Sequence, residues 1–400
     1  MKNLVVIGGG FAGFWGAMSA ARQSRALSRS GDLKITVISL DEYLSIRPRF
    51  YENRFEDMRV SLRQYFDSLG IGLVIGKAVR VNSKQKTVLA IDPQGKEESL
   101  SYDGLILSSG SRLKHPVIPG FNHVFDVDTF DNAVALERHL QDLSLSGFSS
   151  PVSRTFVVIG GSFTGIEVVS KLSERLRSLA PSESRFDLVL TDRSSEIAPG
   201  YSAEGKAIIR QDLARNGIRL LLEEEIKSID DERVLFKSGQ SLMTKTVIWC
   251  GGLEASSLTG EFGVVRDTLG RLPVDSFLHI EGHGVEFAAG DVARARVDEQ
   301  NVSVMSCQHA IPQGKLAGHN AVNALFGKDL IPYAQARYVT CLDLGAENAL
   351  LTSGWERSPK GSGKNAKAQK EEIITQWIVP NPDVEEALKE SNPSISVIPG

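Results

Sequence analysis

One arrangement of residues occurs twice in this chain: a short apolar strand runs into a glycine-rich loop and then into a helix-like stretch. The first copy is LVVIGGGFAG at residues 4–13, and the second is FVVIGGSFTG at 156–165. Another apolar strand follows each helix-like stretch, KITVIS at 34–39 and DLVLT at 187–191. Because strand, loop, helix and strand in that order form a βαβ unit, the chain is predicted to contain two Rossmann-like units.

The glycine spacing of both loops suits a dinucleotide. In the pattern GxGxxG the first glycine permits a tight turn, the second lets the backbone approach a pyrophosphate, and the third lets the helix pack against the strand. The helix N-terminus then presents free N–H groups to the phosphates. A plain glycine-rich turn is the alternative, more so in the second loop, where a serine stands at the middle glycine. The predicted binding residues are Gly8, Gly10, Phe11, Ala12 and Gly13 in the first loop, and Gly160, Gly161, Ser162 and Gly165 in the second.

The uncharged stretch from Leu4 to Ala21 has a second interpretation, because it follows Lys2 and has the length of a secretory signal peptide. Glycines at positions 8, 9, 10, 13 and 16 interrupt it. Each glycine costs an apolar helix about 1 kcal/mol, so a nucleotide-binding loop is favoured. Elsewhere no run approaches the roughly 18 apolar residues that a membrane-spanning helix needs.

A carboxylate at the end of the strand after each loop is expected to bind a ribose hydroxyl. For the second loop this residue is Asp192, which favours NADH. Arg193 and Ser194 follow at once and could instead accept the 2′-phosphate of NADPH. In the first loop Ser39 has the equivalent position, and the acid appears two residues later as Asp41, a weaker candidate for a ribose contact.

Composition narrows the class of protein. Hydrophobic residues make up 42% and charged residues 24% of the 400 residues, as in ordinary globular proteins. Lys and Arg number 45 against 49 Asp and Glu, so nothing predicts a nucleic-acid partner. The three cysteines, at 250, 307 and 341, form neither a CxxC pair nor a disulfide framework, which argues against a thiol relay and a metal site and fits the reducing cytoplasm.

The rest of the chain has other patterns. Residues 72–91 alternate apolar and polar side chains, which is typical of antiparallel strands, and 217–249 also have strand patterns. Residues 309–326 have a helical pattern, 337–353 alternate again, and the Gly, Lys and Ser of 357–370 predict an exposed surface loop. The predicted fold class is therefore α/β, with two Rossmann-like dinucleotide-binding domains and a smaller α+β C-terminal region.

Further motifs occur in a definite order: GGGFAG at 8–13, LILSSGS at 105–111, IGGSFTGIE at 159–167, VIWCGGLEAS at 247–256, FAAGDVA at 287–293 and CQHAIPQG at 307–314. Over most of residues 1–380 they resemble the two-dinucleotide-binding flavoprotein superfamily of the pyridine nucleotide-disulfide oxidoreductases. Within that superfamily the chain is most similar to the type II NADH dehydrogenases, which are NADH:quinone oxidoreductases.

The resemblance implies FAD on the first glycine loop and NAD(P)H on the second. An FAD-binding domain would comprise 1–115 and 272–335, an NAD(P)H-binding domain 116–271, and the α+β C-terminal region 336–400. Further cofactor-binding residues implied by the likeness are Ser109 and Gly110 beside FAD, Gly251 and Gly252 on the nicotinamide side, and Gly290 and Asp291 at the ribityl or phosphate part of FAD. Asp291 could alternatively be a helix N-cap.

Glu167 is the first candidate for catalysis. It lies two residues after Gly165, near the start of the second helix-like stretch. Its carboxylate could simply stabilise the positive end of the helix dipole. The resemblance implies instead a carboxylate that positions the nicotinamide or relays protons at the flavin.

The segment 307–314 provides the other catalytic candidates. The family's acceptor motif resembles A-Q-x-A-x-Q-Q-G, but here Pro312 replaces a glutamine. The resemblance implies that Gln308 and Gln313 are catalytic and that Ala310 lies against the flavin. His309 could be a proton donor or a structural residue.

The disulfide-using branch of the superfamily is disfavoured. Its redox cysteines would fall where this chain has LDEYLSIRPRF, at 40–50. Electrons would therefore pass directly from FAD to an acceptor. Arg47 and Arg49 occupy this stretch, either as FAD contacts or in a solvated loop.

The electron acceptor is left open between a quinone and a small molecule of a specialised pathway. The segment 383–388 is short and acidic, a poor membrane anchor. We therefore expect a cytoplasmic protein with at most weak peripheral contact to the inner face of a membrane, and the family implies a homodimer. Two alternatives are a flavin monooxygenase, although no FxGxxxHxxxY-like signature occurs, and a low-turnover nucleotide-binding regulatory flavoprotein.

Overall fold

The computed structural model describes residues 1–180, 184–335 and 337–398. The elements up to residue 113 are β1 (Lys2–Ile7), α1 (Phe11–Ala26), β2 (Leu33–Ser39), β3 (Tyr43–Ser45), β4 (Arg59–Ser61), α2 (Leu62–Leu69), β5 (Gly72–Ile75), β6 (Lys77–Asn82), β7 (Thr87–Ile91), β8 (Glu97–Ser101), β9 (Gly104–Leu107) and β10 (Ser111–Leu113). The next are α3 (Phe130–Leu145), α4 (Pro151–Arg154), β11 (Thr155–Ile159), α5 (Phe163–Leu179), β12 (Asp187–Asp192), α6 (Ala203–Arg215), β13 (Ile218–Leu222), β14 (Ile226–Asp230), β15 (Arg233–Phe236), β16 (Ser241–Met243), β17 (Thr246–Trp249) and β18 (Leu253–Ala255).

The later elements are β19 (Leu272–Pro273), β20 (Glu286–Ala288), β21 (Ala293–Arg294), α7 (Cys307–Leu325), β22 (Val339–Asp343), β23 (Ala349–Ser353), β24 (Ser358–Gly363), α8 (Lys364–Glu372), a π-helical turn (Ile373–Trp377) and α9 (Val384–Glu390). Within the described ranges, none of the helices is both long and apolar enough to cross a membrane.

Two parallel sheets contain the two glycine loops. The first has the order β20-β9-β1-β2-β5 and the second the order β13-β12-β11-β17, with every neighbouring pair parallel. Both faces of each sheet are covered, one by helices and the other by a three-stranded antiparallel sheet. The central strands are therefore apolar over most of their length, and Leu4–Ile7 and Phe156–Ile159 are buried. Each sheet continues from its central strand into a glycine loop and a long helix, α1 or α5, so the predicted α/β class with two Rossmann-like units is confirmed.

The described residues also form three three-stranded antiparallel sheets, with the orders β6-β7-β8, β14-β15-β16 and β22-β23-β24, and three two-stranded sheets, β3-β4, β10-β18 and β19-β21. The prediction of antiparallel strands over 72–91 is wrong for β5, which pairs in parallel with β2, and holds for β6 and β7. The prediction of a surface loop over 357–370 is also wrong. This segment forms β24 and most of α8, and Lys367 and Lys370 are buried because each pairs with a buried carboxylate.

Close packing of α7 on α1 places the start of α7 beside the first glycine loop. A Cβ atom on Gly314 would lie 2.3 Å from the carbonyl oxygen of Ala12, and one on Gly318 would lie 2.1 Å from that of Gly16. Only glycine fits at these crossings, so the two helices touch backbone to backbone. The residues 307–310 at the start of α7 are thereby held near the loop that begins α1.

Candidate functional site

A cavity of about 1650 Å³ lies between the two parallel sheets and the C-terminal elements. Pockets for one small ligand are typically about 300–1,000 Å³, so there is room for more than one. Of the residues predicted to form the site, those on its wall are Gly8, Gly10, Phe11, Ala12, Asp41, Arg47, Ser109, Gly110, Ser162, Glu167, Gly252, Gly290, Asp291, Gln308 and Ala310. The others do not line it: Gly13, Arg49, Gly160, Gly161, Gly165, Asp192, Gly251 and Gln313.

The first glycine loop has the shape of a pyrophosphate cradle. Gly10 is the N-cap of α1 in an extended conformation with no side-chain cap, and a Cβ atom there would meet nothing within 4 Å. A Cβ atom on Gly13 would lie 1.7 Å from the carbonyl oxygen of Gly8, so this turn requires glycine. The Oγ of Ser109 is buried on the cavity wall without a hydrogen-bond partner among the described residues. Uncapped helix amides, open space and an unpaired hydroxyl all fit a bound phosphate-containing cofactor such as FAD.

Asp291 lies in a polar cluster on the same wall. Ser111 Oγ donates to Asp291 Oδ2 at 2.6 Å, and Arg47 Nη1 donates to Ser111 Oγ at 2.9 Å. Arg47 also pairs with Asp128 and lies 3.9 Å from Asp291 Oδ2. Burial raises the pKa of Asp291, and the Ser111 hydrogen bond and the Arg47 charge oppose that rise. The carboxylate is thus held in a fixed orientation where it can accept a hydrogen bond from a cofactor hydroxyl.

Two other candidate residues from this part of the chain, Arg49 and Asp41, form hydrogen bonds and ion pairs with other protein groups. Arg49 is buried, pairs with Glu52 at 3.0 Å, and donates to the carbonyl oxygen of Asp57 at 2.8 Å. Asp41 accepts from Tyr43 N at 2.9 Å and pairs with Arg59 at 3.2 Å. Arg49 therefore stabilises its own loop, whereas Asp41 remains on the cavity wall.

The second glycine loop repeats the turn of the first. A Cβ atom on Gly165 would lie 1.8 Å from the carbonyl oxygen of Gly160, the same close approach as in the first loop. Asp192 Oδ2 accepts from Gly161 N at 2.6 Å, and its Oδ1 accepts from Ser194 N at 2.8 Å. The acid at the end of β12 is therefore fixed beside the loop, in the position expected of a ribose-binding residue.

Glu167 lies on α5 and is only 4% exposed. Its Oε1 accepts from Lys370 Nζ at 2.7 Å and from Asp343 N at 3.0 Å. Burial raises the pKa of Glu167 to about 7, the Lys370 charge opposes this rise, and the Asp343 charge adds to it. Asp343 in turn pairs with Lys367 Nζ, at 2.7 Å. This buried carboxylate can take up or release a proton near neutral pH.

The start of α7 is held mainly by main-chain contacts. Gln308 Nε2 donates to Val339 O at 2.9 Å, so its amide joins α7 to β22. Gln313 is fully buried behind the cavity, and its Oε1 accepts from Gly290 N at 2.7 Å. His309 is buried, its Nδ1 lies 3.0 Å from Ser306 Oγ, and burial lowers its pKa to about 4. His309 is thus neutral at physiological pH.

All three cysteines line the cavity. Burial raises the pKa of Cys307 to about 11 and that of Cys341 to about 12, and it also raises the pKa of Cys250. These thiols are protonated at neutral pH. Among the described residues no group of three or more His, Cys, Asp and Glu side chains could hold a metal ion.

The sequence patterns missed two parts of the site. One is the set of buried charges that α8 and β22 bring to Glu167. Its only local signal in the sequence was that Lys367 and Lys370 are one helical turn apart. The other is an apolar wall at the C-terminal end of the cavity, formed by Ile373, Ile374, Trp377, Ile378, Val397 and Ile398. We call this set the apolar wall.

Comparison with known proteins agrees with the two-loop architecture. The chain matches the pyridine nucleotide-disulphide oxidoreductase family over residues 2–314. It is 38% identical over 387 residues to an NADH dehydrogenase-like protein of Mycobacterium tuberculosis, with 95% of each chain covered. It is 23% identical to the type II NADH:quinone oxidoreductase of Staphylococcus haemolyticus, over 94% of this chain and 95% of that protein.

The fold is also that of a solved structure. NDH2 from Plasmodium falciparum in complex with NADH superposes with a TM-score of 0.77 at 13% identity, with 100% of both chains covered. At this identity the likeness concerns the fold. The family match and the glycine loops together confirm the expected cofactor pair, FAD and NAD(H). The chain therefore belongs to the pyridine nucleotide-disulphide oxidoreductase family and is an FAD- and NAD(P)H-dependent oxidoreductase similar to the type II NADH dehydrogenases.

Proposed function

We propose that this protein oxidises NADH and passes the electrons, by way of FAD, to a quinone or a similar small apolar acceptor. The supporting observation is that one cavity joins the first glycine loop, Glu167 and the apolar wall. An apolar surface beside a polar redox site suits an acceptor with an apolar ring or tail. The name of the Staphylococcus relative favours a quinone.

We assign cofactor binding to the two loops and the residues around them. The α1 amides behind Gly10, with Ser109 and Asp291, would hold FAD, which when bound supplies a ring that accepts a hydride and passes on two electrons. The second loop at Ser162, with Asp192, would hold NADH. The contacts of Gln313 and Gln308 support a positioning role for both, rather than direct catalysis.

We assign Glu167 as the proton carrier. The proposed reaction is NADH + H⁺ + quinone → NAD⁺ + quinol, so one proton must come from solvent for each turnover. Glu167 is buried on the cavity wall, and this burial raises its pKa to about 7. A general acid whose pKa is close to the working pH transfers protons most effectively.

The domain assignment also stays a proposal. Residues 1–115 with 272–335 would bind FAD, 116–271 would bind NADH, and 336–400 would complete the acceptor side. The pairing of β20 with β9 supports the discontinuous first domain, because it brings residues 286–288 into the first sheet. A homodimer and weak peripheral contact with a membrane remain expectations from the family.

The experiment is an anaerobic titration of the purified protein. The flavin absorbance is followed while NADH is added, and then a soluble quinone. Bleaching by NADH and prompt recovery with the quinone are expected. Bleaching without recovery would exclude the quinone as acceptor, and an absence of bleaching by both NADH and NADPH would contradict the reductase half of the proposal.

A further inference from the structure

Glu167 and Lys370 belong to a larger cluster of buried charges. Two carboxylates, Glu167 and Asp343, alternate with two ammonium groups, Lys370 and Lys367; we call these four residues the charge quartet. The side chains of the Glu167–Lys370 pair are each 5% exposed, that of Asp343 is 3% exposed, and that of Lys367 is 11% exposed. The formal charges of the four groups sum to zero when all four are ionised.

The geometry pairs each carboxylate with its own lysine. Lys370 Nζ lies 2.7 Å from Glu167 Oε1, while Lys367 Nζ lies 2.9 and 2.7 Å from the two oxygens of Asp343. Both lysines come from one turn of α8, whereas Glu167 is on α5 and Asp343 on β22. The two pairs are adjacent, because Asp343 N donates to Glu167 Oε1 at 3.0 Å.

We infer that Lys367 is a positioning residue: by neutralising Asp343 it keeps Lys370 paired with Glu167, and so it sets the pH at which Glu167 exchanges its proton. This inference rests on the proposed role of Glu167 as proton carrier. Lys367 itself does not line the cavity.

The reason is that Asp343 and Glu167 compete for the ammonium group of Lys370 in a buried environment of low dielectric constant. Removing one partner of a buried ion pair leaves the other charge uncompensated, which is strongly unfavourable. Without Lys367, Asp343 still interacts with the charge of Lys370. Two further donors also contact Asp343, Tyr51 OH at 3.2 Å and Gly345 N at 2.9 Å. Lys370 is then drawn away from Glu167, which holds its proton to higher pH.

Other titratable groups around Glu167 do not compete for this role. Among the described residues, the other titratable groups that interact with it are Tyr51, Tyr201 and Cys341. Burial raises the pKa of all three, so they are neutral near pH 7. The lysines and Asp343 are therefore the charges that decide the proton affinity of Glu167.

The test uses the full chain loaded with FAD and five variants, of which one is a control. The Glu167 carboxyl band is identified in the infrared spectrum by its loss in Glu167→Gln, and its titration midpoint is measured. Lys367→Met should raise the midpoint by about one pH unit, and Asp343→Asn should lower it by a similar amount, within the range of shifts that neighbouring charges cause. The double variant Lys367→Met/Asp343→Asn should return it close to the wild-type value.

Lys364→Met is the matched control, because Lys364 is on the same helix but pairs with Glu347 at the exposed surface. It should leave the midpoint unchanged. The pH profile of quinone reduction is measured in parallel. Equal midpoints in Lys367→Met, Asp343→Asn and wild type would overturn the inference, and so would a double variant that stays as shifted as Lys367→Met.

These outcomes separate the inference from the proposed function. Shifted infrared midpoints in a protein that never reduces quinone would support the inference about Glu167 and reject the acceptor. Unshifted midpoints in a protein that reduces quinone would reject the inference about Glu167 and support the acceptor. If Lys367→Met fails to fold, Asp343→Asn and the double variant still provide the comparison.

Discussion

The side-chain carbonyl of Gln313 accepts a hydrogen bond from the main-chain N–H of Gly290 at 2.7 Å, behind the wall that carries Asp291. Gln313 is fully buried and Gly290 has a left-handed backbone, φ +76°. The bond therefore fixes the turn that aims Asp291 at the cavity. The resemblance implied that Gln313 is catalytic, but its contacts are those of a residue that supports the proposed FAD site.

Gln313→Leu should weaken FAD binding more than catalysis. The change leaves the Gly290 N–H buried without a partner, which costs about 1–3 kcal/mol and corresponds to a rise of about tenfold in the FAD dissociation constant. Fluorescence titration of the apoprotein measures this affinity, and kcat is measured at saturating FAD. Unchanged FAD affinity with a large loss of kcat would show that Gln313 acts in catalysis, as the resemblance implied.

Gly10→Val should yield folded protein that has lost most of its FAD. A Cβ atom at Gly10 meets no protein atom within 4 Å and the backbone there is extended, so the fold should tolerate a side chain. The valine side chain would fill the space proposed for the pyrophosphate. FAD content and circular dichroism measure the two effects. Gly31→Val, at another glycine with open surroundings, is the matched control and should purify yellow. Gly10→Val protein that is equally yellow would contradict the assignment of the first loop.

Asp192→Ala should raise the KM for NADH by about tenfold or more, because a hydrogen bond to a charged group contributes about 1.5–3 kcal/mol. FAD content should change little, since Asp192 contacts the second loop at Gly161 N. Steady-state kinetics with NADH and NADPH measure the effect. An unchanged KM for NADH would mean that another residue holds the adenine ribose.

Quinone reduction should depend on the protonation of Glu167. As an acid whose pKa is raised from its ordinary value of 4.5 to about 7, Glu167 is protonated below pH 7 and loses its proton above it. The kcat should therefore fall as the pH rises through about 7. Glu167→Gln should abolish this fall of kcat with pH. It should also lower kcat by about 10²-fold, the lower end of what general acid catalysis supplies. A wild-type profile that stays flat from pH 6 to 8 would exclude Glu167 as the proton donor.

The apolar wall should select the acceptor. Trp377→Ala removes a large ring from it, so the KM for a quinone with an apolar tail should rise several-fold. The rate with ferricyanide, which has no apolar part, should be unaffected and serves as the internal control. Equal effects on both acceptors would show that Trp377 contributes only to the fold.

The parts of the structure that sequence patterns predicted are those encoded by neighbouring residues. A run such as Leu4–Ile7 followed by spaced glycines predicts strand, turn and helix because each step has its own steric reason. The motif around Asp291 was likewise recognisable from a few adjacent residues. Which of these residues line the cavity was less predictable, since Arg49 and Gln313 face protein partners.

The C-terminal side of the cavity could not be predicted in the same way, because its residues meet only in the folded chain. Lys370 is separated from Glu167 by 203 positions. Its Gly-, Lys- and Ser-rich surroundings are typical of solvent-exposed segments, and only pairing with a buried carboxylate makes a buried lysine favourable there. The π-helical turn that brings Trp377 to the cavity leaves no comparable local signature.

Strand β20 joins β9 at the edge of the first sheet, although 178 residues of chain separate Leu107 from Glu286. During synthesis the strands β11, β12, β13 and β17 have all left the ribosome before β20 appears, so the second sheet can close first. The first sheet, Asp291 and α7 come together only afterwards. The nascent chain can thus complete its second sheet before its first, so that under the proposed domain assignment the capture of FAD would be a late event in folding.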